Sequence, residues 1–268
     1  MKSIRIIFAA VLSATCLSLS AQEIKSQWNG ARVAFLGDSI TDAAQIGTKN
    51  DVYWNLMSDI LGTIPYVYGI NGHKMNQIIG QATKLENDHG QDVDAIVVFV
   101  GTNDYNDSLP LGEFFTYSDE QVEVDGHEIV TRRHREVVYD DATFCGRTNS
   151  VLRWLKSHYP KKQIILFTPL HRGYATFGDN NIQPDENYSN ACGNFIDDYV
   201  NAIKRAGEIW SVPVIDLFSN SGLYPLLEED DQFFRDKETD HLHPNTAGHT
   251  RLANVISYML QSYPACLD

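Results

Sequence analysis

VAFLGDSITD, residues 33–42, sets how the rest of the chain reads. Val33, Ala34, Phe35 and Leu36 run without alternation into Gly37-Asp38-Ser39. An unalternating apolar run is the pattern of a strand buried on both faces, since neither face has to meet water. Turn-forming residues then end it, with Gly37 suited to a tight bend and Asp38 or Ser39 suited to capping a following turn. The carboxyl end of a buried parallel strand is also where open α/β sheets bind ligands. Ser39 is therefore a candidate nucleophile as well as a candidate cap.

Four more runs resemble the first, at 65–70, 95–100, 163–168 and 213–217. Helix-like stretches lie between and after them, at 52–61, 75–87, 143–158, 188–210 and 246–261. Such alternation predicts a three-layer α/β/α fold: a mostly parallel five-stranded sheet covered by helices on both sides. One segment, about 112–139, breaks the rhythm. Its Asp125-Gly126 between alternating runs predicts an inserted β-hairpin. Arg132, Arg133 and Arg135 form a basic cluster there, read either as a solvated strand face or as a surface for substrate or a second copy.

The N-terminus reads as a signal peptide over residues 1–21. Lys2 and Arg5 precede an apolar stretch, and Ser18 to Ala21 supply small residues for cleavage. Ala14-Thr15 before Cys16 makes a poor lipoprotein box, and the apolar run is short for a membrane span. Residues 22–268 then form a single domain, exported to the periplasm or beyond. Removal of 1–21 takes Lys2 and Arg5 and no acid, moving the formal charge from −14 to −16. So acidic a chain argues against nucleic acid as a partner, because phosphate binding needs clustered cations. Cys145, Cys192 and Cys266 remain, an odd number without metal-binding spacing, which neither specifies a disulfide nor predicts a zinc site.

The loops after the strands carry the candidate chemistry. They hold Gly37-Asp38-Ser39, then Asn71-Gly72-His73, then Gly101-Thr102-Asn103-Asp104, and near the C-terminus Asp240-His241-Leu242-His243-Pro244. Each has an ordinary structural reading as a turn or cap. Together they supply what ester cleavage requires: a serine hydroxyl, a histidine base, a carboxylate to orient it, and N–H or amide donors for an oxyanion.

These four blocks, in this order, resemble the SGNH (GDSL) hydrolase family over roughly residues 31–260, with the hairpin as the main departure. The resemblance implies a flavodoxin-like sheet and a serine esterase working through an acyl-enzyme without cofactor or metal. On these positions it implies Ser39 as nucleophile, His243 as general base and Asp240 as its orienting acid. The Ser39 and Gly72 N–H groups and the Asn103 side chain would form the oxyanion hole. His241 and His249 do not hold the motif position and read as structural.

The long loop after the fourth strand mixes Tyr174, Phe177 and Tyr188 with amides and carboxylates, a composition suited to a sugar surface. Asp38, His73, Tyr105 and Tyr174 are the candidate substrate contacts. The expected substrate is an O-acetylated carbohydrate, small or polymeric. A lysophospholipase or broad short-chain esterase is the alternative, and a non-catalytic sugar-binding protein a remote one. Oligomeric state is not legible.

Overall fold

The computed structural model describes residues 26–42, 44, 49–265 and 267. The expected signal peptide, Cys16 and Cys266 lie outside the described residues. In chain order the elements are β1 (Arg32–Gly37), α1 (Tyr53–Leu61), β2 (Ile64–Val67), α2 (Ile78–His89), β3 (Ala95–Phe99) and α3 (Thr102–Asn106). The hairpin strands β4 (Phe115–Val124) and β5 (Glu128–Val137) follow, then α4 (Phe144–His158), β6 (Gln163–Phe167), β7 (Ala175–Thr176) and β8 (Ile182–Gln183). The chain continues through α5 (Ile196–Trp210), β9 (Val214–Ile215), α6 (Leu217–Asn220), β10 (Phe234–Asp236), β11 (Asp240–Pro244) and α7 (Thr246–Leu260).

Five strands form one parallel sheet in the order β2-β1-β3-β6-β9. The apolar runs are unalternating because both faces are covered. Along β1, Ala34 and Leu36 enter one core with Ile78, Leu85, Leu152 and Ile203 of α2, α4 and α5. Val33 and Phe35 enter the other core with Tyr53, Met57, Leu252 and Ile256 of α1 and α7. A strand's side chains alternate between faces, so one run feeds two cores. Burying each Val, Leu, Ile, Phe or Met side chain among these is worth about 1.5–3 kcal/mol, which is what holds the three layers together.

The structure departs from the sequence reading in three places. The fifth strand is only β9, because the Asp216 side chain accepts from Ser219 N–H and starts α6 at Leu217. The helix expected from 188 begins at Ile196. Upstream, Asn190 Oδ1 accepts the Cys192 and Asn194 N–H groups and folds the chain into a turn instead. A second sheet, β10-β11-β7-β8, was not anticipated, since its strands of two to five residues are too short to show a period.

The inserted hairpin forms as expected, in register from Phe115↔Val137 to Val124↔Glu128, and turns at Gly126, whose φ is 73°. Arg133 and Arg135 lie over the rings of Tyr117 and Phe115, each 4.4 Å from the ring centre. Arg132 pairs in register with Glu120 on the other face. Cys145 and Cys192 are free thiols. Among the described residues, no helix is long and apolar enough to cross a membrane.

Candidate active site

The turn after β1 explains its own sequence. A side chain on Gly37 would meet Thr41 Oγ1 at 2.3 Å and the Phe99 carbonyl at 3.0 Å, so only glycine fits. The Asp38 carbonyl accepts the Thr41 and Asp42 N–H groups, and its carboxylate accepts Ile40 N–H at 3.0 Å. Burial pushes the Asp38 carboxyl up to about 7, with the Ile40 bond pulling against it. Gln81 of α2 clamps the strand end from the side. Its Oε1 accepts Gly37 N–H and its Nε2 donates to Gly37 O, both at 2.8 Å. Ser39 therefore stands on a braced turn, and no described residue takes its N–H.

The small sheet brings the C-terminal motif to that turn. His243 Nε2 lies 2.9 Å from Ser39 Oγ, across 204 residues of chain. On the other side of the ring, Nδ1 lies 2.9 and 3.0 Å from the two oxygens of Asp240. Asp240 Oδ1 also accepts the His243 N–H at 3.0 Å, which is why an Asp three residues ahead can orient the ring. Burial raises the Asp240 carboxyl, but the hydrogen bonds from His243 and the charge of Arg235 outweigh it and hold it below the usual range. An ionised Asp240 is acceptor-only, so Nδ1 carries the proton and Nε2 turns its lone pair toward Ser39. The Phe177 ring stands edge-on to His243, 5.5 Å between centres.

Two further loops complete the cleft. Gly72 has φ 76°, and an added Cβ would meet nothing within 4 Å, so backbone conformation alone calls for glycine. Its N–H is not taken by any described residue. Asn103 Nδ2 donates one hydrogen to His73 O at 3.0 Å, leaving its second for the cleft. Asp104 ties these loops together, accepting from Met75 N–H at 2.9 Å and Arg147 Nη1 at 3.0 Å. Burial pushes its carboxyl up to about 6, against the pull of those two bonds.

Ser39, Asn71, Gly72, Asn103 and His243 share a cavity of about 280 Å³ with Phe177, Asn181, Gln183 and Leu242. Of the candidate substrate contacts, Asp38 is buried behind the turn. The His73 ring turns away to accept from Gln81 Nε2, and burial holds its pKa below the ordinary value. Tyr105 and Tyr174 do not line this cavity. His249 is buried on α7, accepting Tyr53 N–H at 3.3 Å, and burial lowers its pKa to about 3. Sequence reasoning missed Gln81, Asp104, Asn181 and Gln183. Asp104 had a signal, since it adjoins Asn103 in the third block; the other three stand alone in their segments. A larger hollow of about 800 Å³, at the amino ends of β6 and β9 near Lys156 and Lys204, contains none of the motif residues.

This fold and cleft define a serine hydrolase acting on esters. The chain belongs to the GDSL-like lipase/acylhydrolase family, whose model matches residues 35–251. No curated protein matches it. Among solved structures it is similar to a protein from Lactobacillus plantarum, 24% identical, with TM-score 0.66 over 88% of this chain and 98% of that one. It is also similar to a possible lipase from Chitinophaga pinensis, 19% identical, TM-score 0.61, covering 86% and 98% of the two chains. A lipase/acylhydrolase from Enterococcus faecalis is 17% identical, TM-score 0.54, covering 87% and 98%. These likenesses establish the fold.

Proposed function

We propose that the protein is an exported esterase that removes O-acetyl groups from carbohydrates, using Ser39, His243 and Asp240 as its catalytic triad. The observation that carries the triad is the unbroken chain from Ser39 Oγ through the His243 ring to the Asp240 carboxylate. Ser39 Oγ attacks the ester carbonyl while His243 Nε2 takes its proton, and Asp240 stabilises the imidazolium. The Ser39 and Gly72 N–H groups and Asn103 Nδ2 receive the negative charge that develops on the carbonyl oxygen. His243 then gives its proton to the leaving alcohol. Water, activated the same way, releases the acid from Ser39.

The substrate reading rests on the cleft's lining. Asn71, Asn103, Asn181 and Gln183 supply four amides around Ser39, against two apolar side chains, Phe177 and Leu242. Amides suit a hydroxyl-rich leaving group, whereas an acyl-chain channel needs apolar walls. The names of the Chitinophaga and Enterococcus proteins favour a second reading, a lipid ester. Hydrolysis of p-nitrophenyl acetate, butyrate and octanoate, with Ser39→Ala as blank, separates the two. A Ser39-dependent rate that collapses beyond acetate supports the acetylesterase. A rate rising toward octanoate overturns it in favour of lipid esters. Export rests on the N-terminal 21 residues and is tested by sequencing the mature N-terminus from the native host.

A further inference from the structure

The cleft does not end at Ser39. Asn181 lines both the Ser39 cavity and a second one of about 290 Å³, so the two adjoin at this residue. The second is walled by Tyr105, Asn106, Asn180, Ser189 and Asn190 among others, and among the described residues no Lys, Arg, Asp or Glu lines either cavity. That is notable in a chain where 21% of residues are charged. The wall is built before any ligand arrives. Tyr105 donates through its hydroxyl to Tyr188 O at 2.6 Å, and Asn190 Nδ2 donates to Tyr105 O at 3.1 Å and to Tyr199 Oη at 2.9 Å.

The junction has a fixed polarity. Arg172, 1% exposed, donates through Nη2 to Gln183 Oε1 at 2.7 Å. Gln183 Nε2 in turn donates to Asn181 Oδ1 at 2.9 Å. A guanidinium has no acceptor, so the oxygen of Gln183 must face it, and each amide downstream is oriented in turn. Asn181 is left presenting its NH2, a donor, at the exposed junction. Among the described residues no carboxylate forms an ion pair with the Arg172 guanidinium, so the buried cation polarises this relay and not a salt bridge.

We infer that the second cavity is a subsite for a neutral, hydroxyl-bearing sugar unit attached to the one whose ester reaches Ser39, with Asn181 Nδ2 donating to an oxygen between them. The inference rests on the ester-cleaving reading of Ser39. Uncharged donors and acceptors on a preformed wall match a sugar's hydroxyls without the cost of desolvating ions. Arg172 lines neither cavity; it orients Gln183 and Asn181 through Nη2, donates through Nη1 to Thr102 O and Oγ1 at 3.3 and 3.2 Å, and lies 5.0 Å from the centre of the Tyr105 ring, so it is a positioning residue.

The test compares O-acetylated mono-, di- and trisaccharides of the gluco, xylo and manno series with p-nitrophenyl acetate. The wild type is expected to gain at least tenfold in kcat/KM from mono- to disaccharide in one series. Ser189→Trp, which fills the second cavity, should lower the ratio of disaccharide to p-nitrophenyl acetate kcat/KM at least tenfold. Asn181→Asp, the same size but an acceptor in place of the donor, should raise the disaccharide KM about tenfold and change kcat much less. No gain with length in any series overturns the inference, as does a gain that survives both substitutions. Loss of Ser39-dependent p-nitrophenyl acetate hydrolysis would instead sink the esterase reading, so the two failures are distinct.

Discussion

Asp240→Asn is the substitution whose effect the geometry determines most closely. Asp240 meets His243 Nδ1 with both oxygens and also accepts the Leu242 and His243 N–H groups through Oδ1. An asparagine keeps an oxygen for the backbone donors, so β11 and its turn stay in place. Its NH2 then falls toward Nδ1 and can only donate. That NH2, in place of the oxygen 3.0 Å from Nδ1, favours the other tautomer, with the ring proton on Nε2 facing Ser39 Oγ at the present 2.9 Å. A protonated Nε2 cannot accept the serine proton, and no fixed charge remains to stabilise an imidazolium. The expected loss is about 10³–10⁴ in kcat, roughly 4–5.5 kcal/mol of transition-state stabilisation. Initial rates on p-nitrophenyl acetate measure it, alongside a thermal melt to show the fold intact. A variant that keeps a tenth of the wild-type kcat, with an unchanged melt, would show that Asp240 does not hold His243 in its working tautomer.

Other expectations follow from the braces around the site. Gly72→Ala forces an alanine to φ 76° and should cost about 1–2 kcal/mol by urea denaturation, and if its N–H holds the oxyanion as proposed, kcat should fall at least tenfold. Gln81→Leu strands the Gly37 N–H and carbonyl in the core and should cost roughly 2–5 kcal/mol; a loss below 1 kcal/mol would mean the clamp is dispensable. The buried His249, with its pKa near 3, stays neutral while an unfolded chain protonates it below about 6.5. Its contribution is therefore lost as pH falls, by about 2.7 kcal/mol at pH 4.5, and His249→Gln should reduce that slope in pH-dependent urea melts. Asp38 has the opposite sign. Its carboxyl, pushed up to about 7, keeps a proton that the unfolded chain has lost above about 4. Stability from this group falls as pH rises across that window, by up to about 4 kcal/mol, and Asp38→Asn should abolish the trend.

How much was readable in the sequence follows from the length of each signal. β1, β3 and β6 were plain because five or six consecutive apolar residues buried on both faces have few other readings. The hairpin was plain because Asp125-Gly126 permits the positive φ the turn needs. β7, β8 and β10 were invisible, since two or three residues carry no period, yet that sheet delivers Asp240 and His243 to Ser39. The motif residues that meet in the cleft were legible because their blocks are local and ordered. Their supports were not. Gln81 reaches Gly37 across 44 residues, and Arg172 reaches Gln183 through a contact that only the folded loop creates. Nothing in the local sequence distinguishes such polar side chains from solvated ones.

The acyl-enzyme proposed to form on Ser39 can be trapped directly. The direct measurement is mass spectrometry of the protein quenched in acid during turnover of p-nitrophenyl acetate, followed by peptide mapping. One added acetyl group is expected on the peptide containing Ser39, absent from Ser39→Ala, which also loses turnover. Full turnover by Ser39→Ala, or an acetyl group that maps elsewhere and persists in that variant, would contradict it.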